Sequence, residues 1–129
     1  MRYLIDTQAL IWAQDEPTKL GPAVIPLLGT SNATVYVSVA TIWEIGNKIA
    51  IRKLTLSLPY HSWVSLAIQN FRLLELPVDI RYIERQIALP FHHRDPFDRM
   101  LAAQALVEGI SVVSSDTIFD SDGVVRVWN

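Results

Sequence analysis

Short apolar runs alternate with longer stretches of helical spacing along this chain. Tyr3-Leu4-Ile5 is a run of the kind a buried strand shows. Asp6-Thr7 follows as a cap, Ala9-Leu10-Ile11-Trp12 opens a helix, and Asp15-Glu16-Pro17 ends it. Leu20 to Leu28 reads as a second helix, although Pro26 sits awkwardly inside it. Thr34-Val35-Tyr36-Val37, β-branched and aromatic, is a second strand, and Ser38 caps a helix from Val39 to about Arg52. A helix from Tyr60 to Asn70, a strand from Arg72 to Leu76 and a helix from Asp79 to Ala88 come next, with Pro77 breaking the strand. Asp95 caps and Pro96 opens a helix running to about Glu108, where Gly109 stops it. Ser111 to Ser114 is a fourth strand, Thr117 to Asp120 one helical turn, Asp122-Gly123 a tight turn and Val124 to Trp128 a last strand.

Strands alternating with helices predict a three-layer α/β/α sandwich around a parallel sheet. Ligands in such sheets bind beyond the carboxyl ends of the strands, where the strand order reverses. No internal repeat or linker interrupts the 129 residues, so the chain reads as one domain over residues 1–129.

Composition narrows the chemistry. Hydrophobic residues make up 50% and charged ones 19%, which excludes a disordered chain. The absence of cysteine excludes disulfides and thiolate metal sites. Asp6 breaks the first apolar run too early for a signal peptide, and no run is long enough for a membrane span, so a cytoplasmic protein is expected. With a net charge of −2 the chain has no global attraction for nucleic acid; local bases or a bound cation would have to supply it.

The candidate chemistry is acidic. Asp6 lies just past strand one, Asp116 just past strand four, Glu44 in the second turn of the helix after strand two, and Asp98 in the first turn of the Pro96 helix. Asp98 shares a stripe with Leu101, Ala102 and Ala105, which should pack inward. All four acids can therefore meet at one sheet edge. Each also has a plainer role: Asp6 as a cap, Glu44 as an i, i+4 partner of Lys48, Asp98 as a first-turn acid, Asp116 as a turn residue. Asp120 and Asp122 read as turn residues, and Asp95 as a cap that rivals Asp98. Converging acids repel without a cation, and hard oxygen ligands suit Mg²⁺ or Mn²⁺. Zinc fits less well, because the histidines are only His61 and the pair His92-His93. Such a cluster has a natural use in phosphodiester hydrolysis. His92, His93, Arg94 and Arg99 flank it and could grip a nucleic-acid backbone, or could simply be solvated charges.

Four segments carry a family resemblance. Leu4-Ile5-Asp6-Thr7-Gln8-Ala9-Leu10-Ile11-Trp12 resembles the opening of PIN-domain proteins of the VapC toxin type. Ser38 through Leu54, centred on Trp43-Glu44-Ile45, is similar to their second motif. Asp95 through Ala105 is similar to the third, and Val112 through Asp116 with Phe119 to the fourth. The resemblance implies a PIN-like sandwich with strand order 3-2-1-4-5. It implies a Mg²⁺- or Mn²⁺-dependent endoribonuclease, the toxin of a type II toxin–antitoxin pair, with Asp6, Glu44, Asp98 and Asp116 as its acids. A homodimer, a cognate antitoxin protein and an RNA substrate are the implied partners. Leu10, Ile11 and Trp12 are candidates for a dimer surface, but an apolar helix of that kind is more often core. Gln8 departs from the pattern, since many such toxins carry histidine there. Two rivals stand beside this reading. One is a phosphatase with an aspartyl nucleophile after strand one, which Gln8 disfavours because that chemistry wants an acid there. The other is a PIN-like binding module without catalysis.

Overall fold

The computed structural model describes residues 1–129. The strands are β1 (Arg2–Ile5), β2 (Thr34–Ser38), β3 (Leu74–Leu76), β4 (Ser111–Val113) and β5 (Arg126–Val127). The helices are α1 (Thr7–Asp15), α2 (Val39–Ala50), α3 (Tyr60–Asn70), α4 (Ile80–Ala88), α5 (Pro96–Glu108) and α6 (Ile118–Ser121). All strands run parallel in the order β3-β2-β1-β4-β5, as the resemblance implied. Ile5 pairs with Val37 on one side and Val113 on the other, so β1 is the centre of the sheet. The sheet tapers at both margins, to three residues at β3 and two at β5.

Side chains alternate across the sheet. Leu4 and Val112 join Tyr82 of α4, much of α5 and Phe119 of α6 in one apolar layer. Tyr3, Ile5, Val35, Val37 and Val113 face a second layer built with α1, Ile45 of α2 and Trp63 of α3. Both faces are thus covered, as a parallel sheet requires.

The terminal signals of α5 behave as the sequence predicts. The Asp95 carboxylate accepts from Phe97 N at 2.9 Å and Asp98 N at 3.0 Å, satisfying two orphan donors. Gly109 takes the left-handed conformation (φ 65°) that closes the helix. Its burial exceeds a stripe, however: every residue from Arg99 to Ala105 is buried. The three alanines, Ala102, Ala103 and Ala105, let α4 and the sheet close on the helix, so no face is left to solvent over that span.

Three expectations need correcting. Leu20–Leu28 is not a helix but a turn leading to a single 3₁₀ turn at Ile25–Leu27, preceded by another at Pro17–Lys19. Pro26 lacks the N–H a longer helix would need there. β3 starts at Leu74 because Arg72, at φ 51°, ends α3 in the left-handed region and cannot be extended. β5 is confined to Arg126–Val127, within the longer strand expected from Val124 to Trp128.

Candidate active site

The carboxyl ends of β1 and β4 are tied together by Asp6, whose N–H donates to Val113 O at 3.0 Å. Asp6 therefore caps α1, with Oδ1 accepting from Ala9 N at 2.7 Å, and also faces the crevice beside β4. The residue thus fills the cap role and lines the crevice at once. Asp116 follows β4 after a bend in which its N–H donates to Ser114 Oγ at 2.9 Å, and it is exposed. Glu44 projects from the second turn of α2 and is buried, and Asp98 projects from the first turn of α5.

A pocket of about 340 Å³ brings these residues together, lined by Asp6, Thr7, Gln8, Glu44, Lys48, Asp95, Asp98, Ser115 and Asp116. None of the lining side chains is hydrophobic. The four predicted acids all face it, and Asp95 joins them at the rim while capping α5. Glu44 does pair with Lys48, Nζ to Oε2 at 2.9 Å, yet its side chain is 7% exposed, so this is not a solvated surface pair. Gln8 lies at the mouth of the pocket.

Crowding of like charges shows in the protonation of the acids. Burial pushes the Asp6 carboxyl up to about 6; Ser114 and the Ala9 N–H hold it down, while Asp116 and Glu44 push it further up. Burial again, then Asp95, Glu44, Asp6 and Asp116, raise Asp98 to about 7. Burial and mutual repulsion thus favour the protonated form of these two carboxyls.

The donor set fits a hard divalent ion: oxygens only, in a polar space with room for an ion and its waters. No three of the acids converge into a finished coordination cage. That openness suits Mg²⁺, which is usually held by one or two carboxylates and keeps several waters. Asp6 and Asp98 are the groups most relieved by such a charge.

The flanking bases are placed differently from expectation. Arg99 is buried, and its guanidinium donates to Pro90 O at 3.0 Å, Gln86 O at 2.8 Å and Leu89 O at 3.2 Å. It also lies over the Phe91 ring at 4.1 Å, so it staples the end of α4 to α5 and cannot grip a substrate. His93 turns away from the pocket and meets the buried Asp122, Nε2 to Oδ2 at 2.8 Å. Asp122 is consequently a buried partner rather than a plain turn residue. Arg94 and His92 are exposed and free of these bonds, but neither lines the pocket. Leu10 and Ile11 are core residues, and Trp12 stacks on Trp128 at 5.9 Å, so they do not form a free dimer surface. Sequence reasoning missed Thr7 and Thr41, whose hydroxyls meet inside the site at 3.2 Å. The available signal was spacing: Thr41 lies one turn before Glu44.

Comparison with known proteins settles the family. The family model described as PIN domain matches residues 3–122. The chain belongs to the PIN domain family. No curated protein matches it in sequence. Among solved structures, the PIN chain is similar to one in VapBC2 from Rickettsia felis bound to a DNA fragment from their promoter, with TM-score 0.76, 15% identity and 100% of both chains covered. VapBC-1 from nontypeable Haemophilus influenzae gives TM-score 0.67 at 15% identity, covering 98% of this chain and 97% of that one. VapBC-5 from Mycobacterium tuberculosis, of the VapBC family of toxin-antitoxin systems, gives 0.59 at 19% identity, covering 98% of each. At these identities the likeness concerns the PIN fold alone.

Proposed function

We propose that this chain is a metal-dependent endoribonuclease, the toxin of a type II toxin–antitoxin pair, acting as a single PIN domain in the cytoplasm. The observation that carries the reading is the pocket itself, which Asp6, Glu44, Asp98 and Asp116 all line beside the carboxyl ends of β1 and β4. Membership of the PIN family supports a nuclease. Structural relatives that are toxin–antitoxin complexes support an antitoxin protein as partner. No helix is long and apolar enough to cross a membrane, consistent with the cytoplasmic assignment.

Asp6 and Asp98 would hold Mg²⁺ or Mn²⁺, with Asp116 and Glu44 completing the acidic wall. A divalent cation there supplies a water of lowered pKa and offsets the charge that develops on the phosphate. The protein's part is to fix these acids on rigid elements: Asp6 on the end of a central strand, Asp98 on a helix capped by Asp95. Arg99 and His93 do not supply the grip on RNA, which leaves exposed Arg94 and His92 on that flank and the cation to offset the repulsion between the acids and the incoming phosphate.

The test is cleavage of total cellular RNA by the purified chain, free of antitoxin, in Mg²⁺, Mn²⁺ or EDTA. Discrete fragments are expected with either metal and none with EDTA. Asp6→Asn keeps the cap acceptor and Asp98→Asn keeps the side-chain volume, so both should fold. Each should lower the rate by on the order of a hundredfold or more, as loss of a key electrostatic group does. Folded protein that cleaves nothing under any metal would leave a PIN-fold binding module without catalysis.

A further inference from the structure

The acidic pocket contains one cation, Lys48. Its ammonium sits 2.9 Å from Glu44 Oε2, and the Thr7 hydroxyl donates to Glu44 Oε1 at 2.6 Å. Thr7 has a single proton, so the 3.2 Å approach of Thr41 is a bond donated by Thr41 to Thr7. Thr41, Glu44 and Lys48 recur along one face of α2, which sets the row out by helical geometry alone. Thr7, Thr41 and Glu44 are all buried, while Lys48 reaches in from the rim with its side chain 44% exposed.

Glu44 therefore differs from Asp98: both of its oxygens already have a donor. Nothing in the protein hydrogen-bonds the Asp98 carboxylate, which is free to turn toward an ion. A divalent ion placed directly on Glu44 would displace Thr7 or face the Lys48 ammonium, a like charge. Each Glu44 oxygen still has a lone pair for a water.

We propose that Lys48 and Thr7 are positioning residues that hold Glu44 off the metal and aim it at a water in the pocket, leaving Asp6 and Asp98 as the direct ligands. The proposal rests on the nuclease reading above and refines it. It predicts that metal binding and catalysis separate in the α2 variants. Mn²⁺ affinity, measured by calorimetry on the intact chain, should fall by several hundredfold in Asp98→Asn but by only about tenfold in Glu44→Gln, the loss of a charge outside the coordination shell. Lys48→Met should bind Mn²⁺ as tightly as the parent or tighter, because a like charge has gone. Its single-turnover cleavage of a single-stranded RNA oligonucleotide should nevertheless fall about 10- to 100-fold, with Lys48→Arg recovering most of the loss. Loss of Mn²⁺ binding in Glu44→Gln as severe as in Asp98→Asn would make Glu44 a direct ligand and overturn the proposal, and so would a Lys48→Met variant cleaving at the parent rate. If circular dichroism shows Lys48→Met unfolded, Lys48→Arg and Glu44→Gln still carry the comparison. If the parent itself cleaves no RNA, the nuclease reading fails, while the Mn²⁺ series still decides where Glu44 stands.

Discussion

Asp6 is a carboxylate with two employers, α1 and the pocket, and its protonation records the conflict. Its folded pKa is about 6 against an ordinary 3.8, and that of Asp98 is about 7. Between those values and the ordinary one, the folded protein binds protons that the unfolded chain does not. Stability of the metal-free protein must then rise as pH falls from 8 through 7 and 6, levelling near 4. For Asp6 the effect is on the order of 3 kcal/mol across that window. Asp79, held below the usual carboxylate range by its hydrogen bond from Arg81, acts only at lower pH. Thermal melts in EDTA should therefore show a higher Tm at pH 5.5 than at pH 8, and Asp6→Asn should flatten the slope and stabilise the protein at pH 8. Saturating Mn²⁺ should reverse the trend, because the ion binds the ionised acids. A Tm in EDTA that climbs with pH over this range would show that the acids are not strained. The meeting of the acids at one edge was legible in the sequence, since Asp6 and Asp116 follow strands, Asp98 opens a helix and Glu44 lies in the second turn of one. Their neighbours were not: Thr7 and Thr41 are ordinary helix residues until the fold brings them together over a separation of 34 residues.

At the scale of the element, α5 depends on Arg99. The guanidinium donates to three carbonyls at and just beyond the end of α4; Gln86 O and Pro90 O also accept from the Leu89 and His92 N–H groups, so Leu89 O is the one that depends on Arg99 alone. Arg99→Ala should cost about 2–3 kcal/mol in urea unfolding, in the range for losing hydrogen bonds from a charged donor. Lysine should recover less than half of that, since a single ammonium cannot span three carbonyls as the planar fork does. A loss below about 1 kcal/mol with cleavage abolished would instead return Arg99 to the substrate. The helix was readable from Asp95-Pro96 at one end and Gly109 at the other, and α3 likewise ran from Tyr60 to Asn70 as its pattern indicated. What failed was whatever lacked local punctuation or carried contrary punctuation. Two prolines overrode the apolar run at Leu20–Leu28, and an arginine took the left-handed turn after α3 that a glycine usually marks. Arg99 and His93 could not be read as structural from the sequence, because their partners lie 9 to 29 residues away.

Over the whole molecule, apolar surface is unevenly distributed. A cleft of about 310 Å³ beside the acidic pocket is lined by Val39, Trp43, Val78, Phe97 and Met100, with Trp43 set edge-on to Phe97 at 5.3 Å. On α4, Ile80, Ile83 and Ile87 form a stripe at i, i+3 and i+7, 71%, 40% and 70% exposed. Exposed patches of this kind favour association. Light scattering of the isolated chain should fall when Ile80 and Ile87 are both replaced by lysine, with unfolding free energy changed by no more than about 0.5 kcal/mol per site, as for other surface positions. Unchanged scattering would place the sticky surface elsewhere, with the Trp43 cleft the next to vary.

The tapering of the sheet decides what form that association takes. With three residues at one margin and two at the other, neither β3 nor β5 offers a run of unpaired backbone long enough to template a foreign strand. Concentrated protein should therefore form clusters that dissolve on dilution instead of seeding fibrils.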